Sequence, residues 1–136
     1  NNNLRDKNCL GGVRILLVED NEINREIAIE LLTEEGCIVE TAGDGLACID
    51  MIEKAEADHY KIVLMDIQMP IMNGYDAASI IRKLKDTKKS RLPIIAMTAD
   101  AFAEDVNKAL SAGMNDHVAK PIDMNILVPI MMKYLS

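Results

Sequence analysis

Acidic, hydroxyl and basic side chains directly follow four separate apolar runs of the sequence: Glu19 and Asp20, Asp66, Thr98, and Lys120. If these runs are parallel strands, their carboxyl ends meet at one edge of a sheet, and the polar side chains form one site. Three converging carboxylates repel one another unless a cation lies between them, and oxygen ligands favour a hard ion such as Mg²⁺.

Phosphoryl chemistry is the reaction that this set of groups favours. Mg²⁺ retains water ligands and readily shares a phosphate oxygen. The Lys120 ammonium and the Thr98 hydroxyl would stabilise charge on other sides of a phosphoryl group, and one carboxylate can be the nucleophile. Separate capping roles do not explain why all these residues converge, so we predict a phosphoryl-accepting site centred on Asp66.

The elements that must position these residues alternate between strands and helices. Apolar runs of strand length cover residues 13–18, 37–41, 62–65, 93–97 and, more weakly, 117–119, and a stretch with helical spacing follows each run. Such alternation predicts right-handed βα units in a single doubly wound five-stranded parallel sheet, with helices on both faces. Pro129 should kink the last helix, at about residues 123–135, or delay its start.

Length and composition indicate one soluble domain. The polar residues 1–12 end in Gly11-Gly12 and predict a linker or tail, so the domain is expected at residues 13–136. The basic stretch from Lys85 to Arg91 predicts a solvated loop, and the scattered Cys37 and Cys48 predict small apolar core residues. The net charge of −7 argues against a nucleic-acid surface, and no apolar run approaches a membrane span. Without a secretory signal, a cytoplasmic location is expected.

Several motifs, in this order and at these separations, resemble the response-regulator receiver domain of two-component systems over residues 13–135: Val18-Glu19-Asp20-Asn21, Met65-Asp66-Ile67-Gln68-Met69-Pro70, Met72-Asn73-Gly74, Thr98-Ala99 and Lys120-Pro121. The resemblance implies a flavodoxin-like sheet with strand order 2-1-3-4-5. It implies that Asp66 accepts a phosphoryl group from a phosphohistidine, and that Lys120 and Thr98 contact the phosphoryl oxygens. It also implies a cis peptide bond before Pro121.

The same resemblance implies a metal site and a set of partners. Mg²⁺, with Mn²⁺ as an alternative, would be held by Asp20, Asp66 and the backbone carbonyl of Gln68, while Glu19 assists in part through water. The implied partners are a histidine kinase or a histidine phosphotransfer domain, and a downstream phosphotransfer protein. No direct contact with nucleic acid or with a membrane is expected of this domain, even if the parent kinase has a membrane anchor.

Two runs are more particularly similar to receivers fused to hybrid sensor histidine kinases: residues 19–24, and residues 113–116 together with Met97-Thr98-Ala99-Asp100-Ala101. A receiver within a hybrid kinase is therefore the favoured origin, and a stand-alone single-domain response regulator is the alternative. His117 departs from the family pattern, in which Tyr or Phe at this place acts as a switch. We expect phosphorylation to change the surface formed by the helix after Thr98, the fifth strand and the last helix.

Two other function classes compete with this interpretation. A phosphoaspartyl hydrolase resembling the haloacid dehalogenase family needs an acid two residues after the nucleophile, and that place holds Gln68. A flavodoxin-like cofactor binder needs a phosphate-binding loop after the first strand, where Glu19 and Asp20 would repel a phosphate. We therefore predict a signalling domain rather than an enzyme that turns over external substrates.

Overall fold

Five parallel strands form the centre of the molecule in a computed structural model, which describes residues 10–99 and 103–135. The strands are β1 (Arg14–Val18), β2 (Ile38–Ala42), β3 (Ile62–Asp66), β4 (Ile94–Thr98) and β5 (Asp116–Ala119). They form one sheet in the order β2-β1-β3-β4-β5. This arrangement confirms the predicted fold class and strand order.

Within the described residues, six helices connect or flank these strands: α1 (Glu22–Glu34), α2 (Gly45–Lys54), α3 (Gly74–Arg82), α4 (Thr87–Ser90), α5 (Ala103–Ser111) and α6 (Met124–Leu135). The side chains of Asn21, Asp44 and Asn73 accept backbone hydrogen bonds at the starts of α1, α2 and α3.

One expectation about helices was wrong. The basic stretch contains the short helix α4 rather than only a loop, because the Asp86 side chain accepts hydrogen bonds from the backbone N–H groups of Lys88 and Lys89. The last helix is continuous from Met124 through Pro129, so the proline does not delay its start, and a kink at Pro129 stays a prediction.

Successive strand residues point to opposite faces of the sheet, and each face carries its own apolar core. One face packs against α2, α3 and α5, and its strand residues include Leu16, Val18, Ala42, Val63, Met65, Ile94 and Ala96. The other packs against α1 and α6, and its strand residues include Ile15, Leu17, Ile62, Leu64, Ile95, Met97 and Val118. Cys48 belongs to the first core and Cys37 to the second, as expected of small apolar residues.

The packed chain begins before residue 13. Leu10 is fully buried in the core beside α1 and α6, and the Gly12 N–H donates to the carbonyl of Gly36 at 2.9 Å. Part of the expected tail therefore packs against the domain, because burial of the Leu10 side chain removes apolar surface from water. None of the helices in the described ranges has the length and apolar character that crossing a membrane requires.

Candidate active site

The predicted polar residues meet at the carboxyl edge of the sheet, in a cleft of about 750 Å³. Its lining includes Glu19, Asp20, Asp66, Thr98 and Lys120. Glu19, Asp66 and Thr98 are only 2%, 4% and 3% exposed, whereas Asp20 is exposed. The structure thus brings together all five side chains from four strand ends, as the order of the parallel strands requires.

The Lys120 ammonium links two of the carboxylates. Its Nζ lies 2.9 Å from Glu19 Oε1 and 2.9 Å from Asp66 Oδ2. The remaining carboxylate oxygens accept from the backbone, since Asn21 N–H donates to Glu19 Oε2 and Gln68 N–H donates to Asp66 Oδ1, both at 3.2 Å. Lysine therefore holds together two acids that would otherwise repel each other.

The two linked carboxylates have different proton affinities. Burial by itself would raise the pKa of Glu19, but hydrogen bonds from Lys120 and from the Asn21 N–H outweigh it and lower this pKa. Burial, together with the neighbouring charge of Glu19, raises the pKa of Asp66 to about 6 despite the opposing effect of Lys120. Glu19 thus keeps its negative charge, whereas the charge of Glu19 disfavours the ionised form of Asp66.

The loop after β3 fixes Asp66 relative to α3. The Gly74 N–H donates to the carbonyl of Ile67 at 2.9 Å, and a Cβ at Gly74 would come within 2.4 Å of the Asp66 carbonyl oxygen. Only glycine allows this approach of α3 to the strand end. Within the loop, Ile71 has φ of 70°, and Met72 N–H donates to Pro70 O at 2.7 Å, which defines a three-residue γ-turn.

Residues that the sequence interpretation missed also shape the site. The Arg25 guanidinium, on the first turns of α1, donates to the backbone carbonyl of Glu19 at 2.9 Å. Tyr75, Asp105 and Lys108 line the same cleft from α3 and α5. The sequence does not indicate that these three side chains line a site, because a polar side chain on an amphipathic helix normally lies in solvent.

Thr98 and His117 occupy different environments. The Thr98 hydroxyl donates to the carbonyl of Val118 in β5 at 3.5 Å, which is a long hydrogen bond. His117, opposite Ala96 in the sheet, does not line the cleft, and its half-exposed ring has Nδ1 3.9 Å from Asp116 Oδ1. The switch role of His117 stays a prediction. The peptide bond between Lys120 and Pro121 is cis.

The acidic residues fit a hard divalent cation. Glu19, Asp20 and Asp66 each offer a carboxylate oxygen, and these three atoms lie within 4.8 Å of one another. Oxygen donors with excess negative charge are the set that Mg²⁺ favours. Gln68 lines the same cleft, next to Asp66 along the chain.

Comparison with known proteins decides the family. The profile of the response regulator receiver domain matches residues 15–131. The chain belongs to this family. A relative of this receiver domain is hybrid signal transduction histidine kinase G of Dictyostelium discoideum, 41% identical over 124 residues that make up 90% of this chain and 4% of the relative. Another is probable histidine kinase 2 of Oryza sativa subsp. indica, 39% identical over 130 residues, which are 88% of this chain and 12% of the relative. The receiver domain therefore spans only a small part of these relatives.

Solved structures resemble this receiver domain over nearly its full length. The receiver domain of sensor histidine kinase PA1611 from Pseudomonas aeruginosa, with magnesium in its active site cleft, is 36% identical with a TM-score of 0.82, covering 92% of this chain and 98% of that one. A Saccharomyces cerevisiae response-regulator receiver domain, co-crystallised with a histidine phosphotransfer protein, is 26% identical with a TM-score of 0.81, covering 92% of this chain and 90% of that one.

Proposed function

We propose that Asp66 carries the phosphoryl group of this receiver domain. The supporting observation is its carboxylate at the floor of the cleft, 4% exposed, with Lys120 Nζ 2.9 Å away. A carboxylate oxygen attacks the phosphorus of a phosphohistidine, so that an O–P bond forms while the N–P bond breaks. The imidazole leaves with the electron pair of the broken bond and takes a proton from water, and an aspartyl phosphate remains.

Mg²⁺ is the proposed cofactor, with Mn²⁺ as an alternative of similar ligand preference. Asp20, Asp66 and the Gln68 carbonyl would hold the ion, and Glu19 would assist in part through water. When bound, the ion neutralises charge on the phosphoryl oxygens. Lys120 can turn from Asp66 to a phosphoryl oxygen while it stays paired with Glu19, and the Thr98 hydroxyl can donate to another.

We infer that the domain belongs to a hybrid histidine kinase and exchanges its phosphoryl group with a histidine kinase or a histidine phosphotransfer protein. The Dictyostelium and rice kinases contain similar segments, and the yeast receiver was crystallised with a histidine phosphotransfer protein. Two isoleucines on α1, Ile23 and Ile27, are 68% and 52% exposed. Ile27 lines an apolar pocket whose lining also includes Lys120 and Ile122. This apolar rim beside the cleft offers the partner a contact surface next to Asp66.

We further propose a cytoplasmic domain that makes no direct contact with nucleic acid or membrane. The net charge of −7 supports the absence of these contacts, because phosphate-rich surfaces repel an acidic domain. Turnover of external substrates is not part of the proposal, because Gln68 occupies the place where the hydrolase resemblance would require an acid.

The surface of α5, β5 and α6 is proposed to change on phosphorylation. If Thr98 turns to the phosphoryl group, its hydrogen bond to Val118 O is lost, and the edge strand β5 loses one link to β4. NMR spectra of the wild type with and without beryllofluoride, beside those of His117→Tyr, test the part of His117. We expect the ring to turn inward in the beryllofluoride-bound state and its ring signals to shift, and identical ring signals in both states would remove His117 from the switch.

Mass spectrometry after incubation with acetyl phosphate tests the phosphoacceptor. We expect one phosphoryl group on the wild type with Mg²⁺, none on Asp66→Asn, and little in EDTA because unscreened carboxylates repel the donor. Asp58→Asn, an exposed aspartate outside the cleft, is the matched control and should behave as wild type. Asp20→Asn should weaken Mg²⁺ binding, whereas Lys120→Ala should spare it. Equal phosphorylation of Asp66→Asn would refute the assignment.

A further inference from the structure

A second lysine lies at the rim of the cleft, opposite α1. Lys108 on α5 places its Nζ 4.9 Å from the centroid of the Tyr75 ring, at the start of α3. Both side chains line the cleft that contains Asp66, Thr98 and Lys120. An ammonium over an aromatic face is attracted by the quadrupole of the ring, whose faces are partially negative, so the contact holds the Lys108 charge at the cleft.

Tyr75 is itself fixed relative to the phosphoacceptor strand. It follows Gly74, whose backbone lies so close to the Asp66 carbonyl that a Cβ there would come within 2.4 Å of that oxygen. The Tyr75 backbone therefore cannot shift along the cleft without moving the end of β3. The Tyr75 ring, which starts from this fixed point, places the Lys108 ammonium beside the cleft that contains Asp66.

The charges around the cleft give this lysine a role. The described residues that line it include four carboxylates, on Glu19, Asp20, Asp66 and Asp105, and two ammonium groups, on Lys108 and Lys120. Lys120 is already paired with two of the carboxylates at 2.9 Å each. A phosphoryl donor is an anion that must enter past this excess of negative charge, and a cation at the rim lowers the electrostatic cost of entry.

We propose that Lys108, held over the Tyr75 ring, is a positioning residue that attracts the anionic phosphoryl donor into the cleft and orients it toward Asp66. The inference rests on the proposed phosphoacceptor role of Asp66. Lys108 makes no bond to the reacting atoms in this proposal, so its effect is electrostatic. It should act with opposite sign on an entering anion and on the Mg²⁺ cation.

The test measures phosphorylation by acetyl phosphate in saturating Mg²⁺, with intact-mass spectrometry time courses. For Lys108→Ala we expect the initial slope of rate against donor concentration to fall about threefold at low ionic strength, and this difference to shrink as salt is added. Lys108→Arg should retain most of the wild-type slope, because a guanidinium carries the same charge and also packs on aromatic rings. Mg²⁺ affinity, from isothermal titration calorimetry, should stay equal or rise about twofold in Lys108→Ala.

Lys133→Ala is the matched control. Lys133 Nζ lies 5.4 Å from the Tyr134 ring centroid on α6, so this variant also removes a lysine over an aromatic ring, but away from the cleft. It should leave the slope unchanged. An unchanged slope for Lys108→Ala, a salt-independent loss, or a loss of Mg²⁺ affinity would each overturn the inference while leaving Asp66 as the acceptor. A wild-type chain that gains no phosphoryl group on Asp66 would instead overturn the proposed function itself.

Discussion

Asp66 combines burial with an unfavourable electrostatic environment. Glu19 and Asp66 share one ammonium at 2.9 Å, and the pKa of Asp66 is raised to about 6 by burial and by the charge of Glu19. A carboxylate in this state is stabilised when a cation or a proton binds. Ionised Asp66 therefore lowers the stability of the metal-free domain, and the proposed Mg²⁺ would offset this loss.

Asp66→Asn should stabilise the metal-free domain. The pKa of Asp66 in the folded domain, about 6, lies above its usual value of 3.8. Ionised Asp66 therefore lowers the free energy of unfolding, and this destabilisation is fully present above pH 6 and disappears as pH falls toward 4. We expect the variant to gain on the order of 1–3 kcal/mol in free energy of unfolding at pH 7 in EDTA, and much less at pH 4. Urea denaturation measures this difference.

Asp58→Asn, on an exposed aspartate, is the control for this series and should change stability by less than about 0.5 kcal/mol. Saturating Mg²⁺ should stabilise the wild type more than Asp66→Asn, since the variant loses a ligand. A variant that is less stable than the wild type in EDTA at pH 7 would contradict the raised pKa.

Ile71 is an unusual residue for its backbone conformation. Its φ of 70° lies in the left-handed region, which costs a β-branched residue roughly 1–2 kcal/mol, and its side chain is 77% exposed. Ile71→Gly should therefore be more stable than Ile71→Ala, by about 0.5–1 kcal/mol in thermal or urea unfolding.

Ile80, in the middle of α3 and 37% exposed, provides the opposite case. There the alanine variant should be more stable than the glycine variant by about 1 kcal/mol, as in any helix interior. The same order of alanine and glycine at both positions would show that the loop releases the strain when it is mutated.

At the scale of elements, the site depends on the approach of α3 to the end of β3. Gly74 begins α3 in contact with the Asp66 carbonyl, and the Asn73 side chain caps the helix by accepting from the Asp76 N–H at 2.9 Å. The same close packing fixes Tyr75 at the cleft rim. The loop between β3 and α3 thus couples the position of the helix directly to that of Asp66, the proposed phosphoacceptor.

Gly74→Ala should push these two elements apart. A Cβ would meet Asp66 O at 2.4 Å and Ile67 Cα at 3.0 Å, and neither backbone atom can move aside as a side chain could. We expect a loss of about 2 kcal/mol or more in unfolding free energy, together with weaker Mg²⁺ binding. Gly43→Ala is the matched control, because a Cβ there has nothing within 4 Å and should be tolerated. Equal stability of the two variants would exclude a tight contact at Gly74.

At the scale of the whole molecule, Arg82 connects several elements at the end of the domain farthest from the cleft. At the end of α3, its guanidinium donates to Ser90 O, Gly113 O and Asn115 Oδ1, each at 2.8 Å. The Asn115 side chain in turn accepts from the Ile94 N–H at the start of β4. One side chain thus joins α3, α4 and the turn between α5 and β5.

Arg82→Met should destabilise the whole domain, because three acceptors lose their charged donor. We expect a loss of about 2–4 kcal/mol, with a fall in melting temperature that differential scanning calorimetry would detect. Arg82→Lys should recover only part of this free energy of unfolding, since one ammonium cannot match the planar array of donors on a guanidinium. Arg91→Met, at an exposed position, is the control and should cost less than about 0.5 kcal/mol. A loss no larger than that of the control would show that water replaces these bonds.

The sequence by itself predicted the parallel sheet and the convergence of the site, whereas the strand order followed only from the resemblance to the receiver family. Apolar runs that alternate with helical stretches leave few topologies, and parallel strands place Glu19, Asp66 and Lys120 at the same edge whatever the details of packing. Motif spacing also identified the receiver family, because several short motifs had to occur in order.

Tertiary structure alone decided which atoms meet. The pairing of Lys120 with both acids, the contact of Lys108 with Tyr75, and the burial of Leu10 all join residues distant in sequence, so no local pattern encodes them. The short helix α4 was missed because a polar four-residue helix has no apolar period. His117 lies outside the cleft because a side chain on an edge strand can turn to solvent, and packing against its neighbours, not residue type, selects the rotamer.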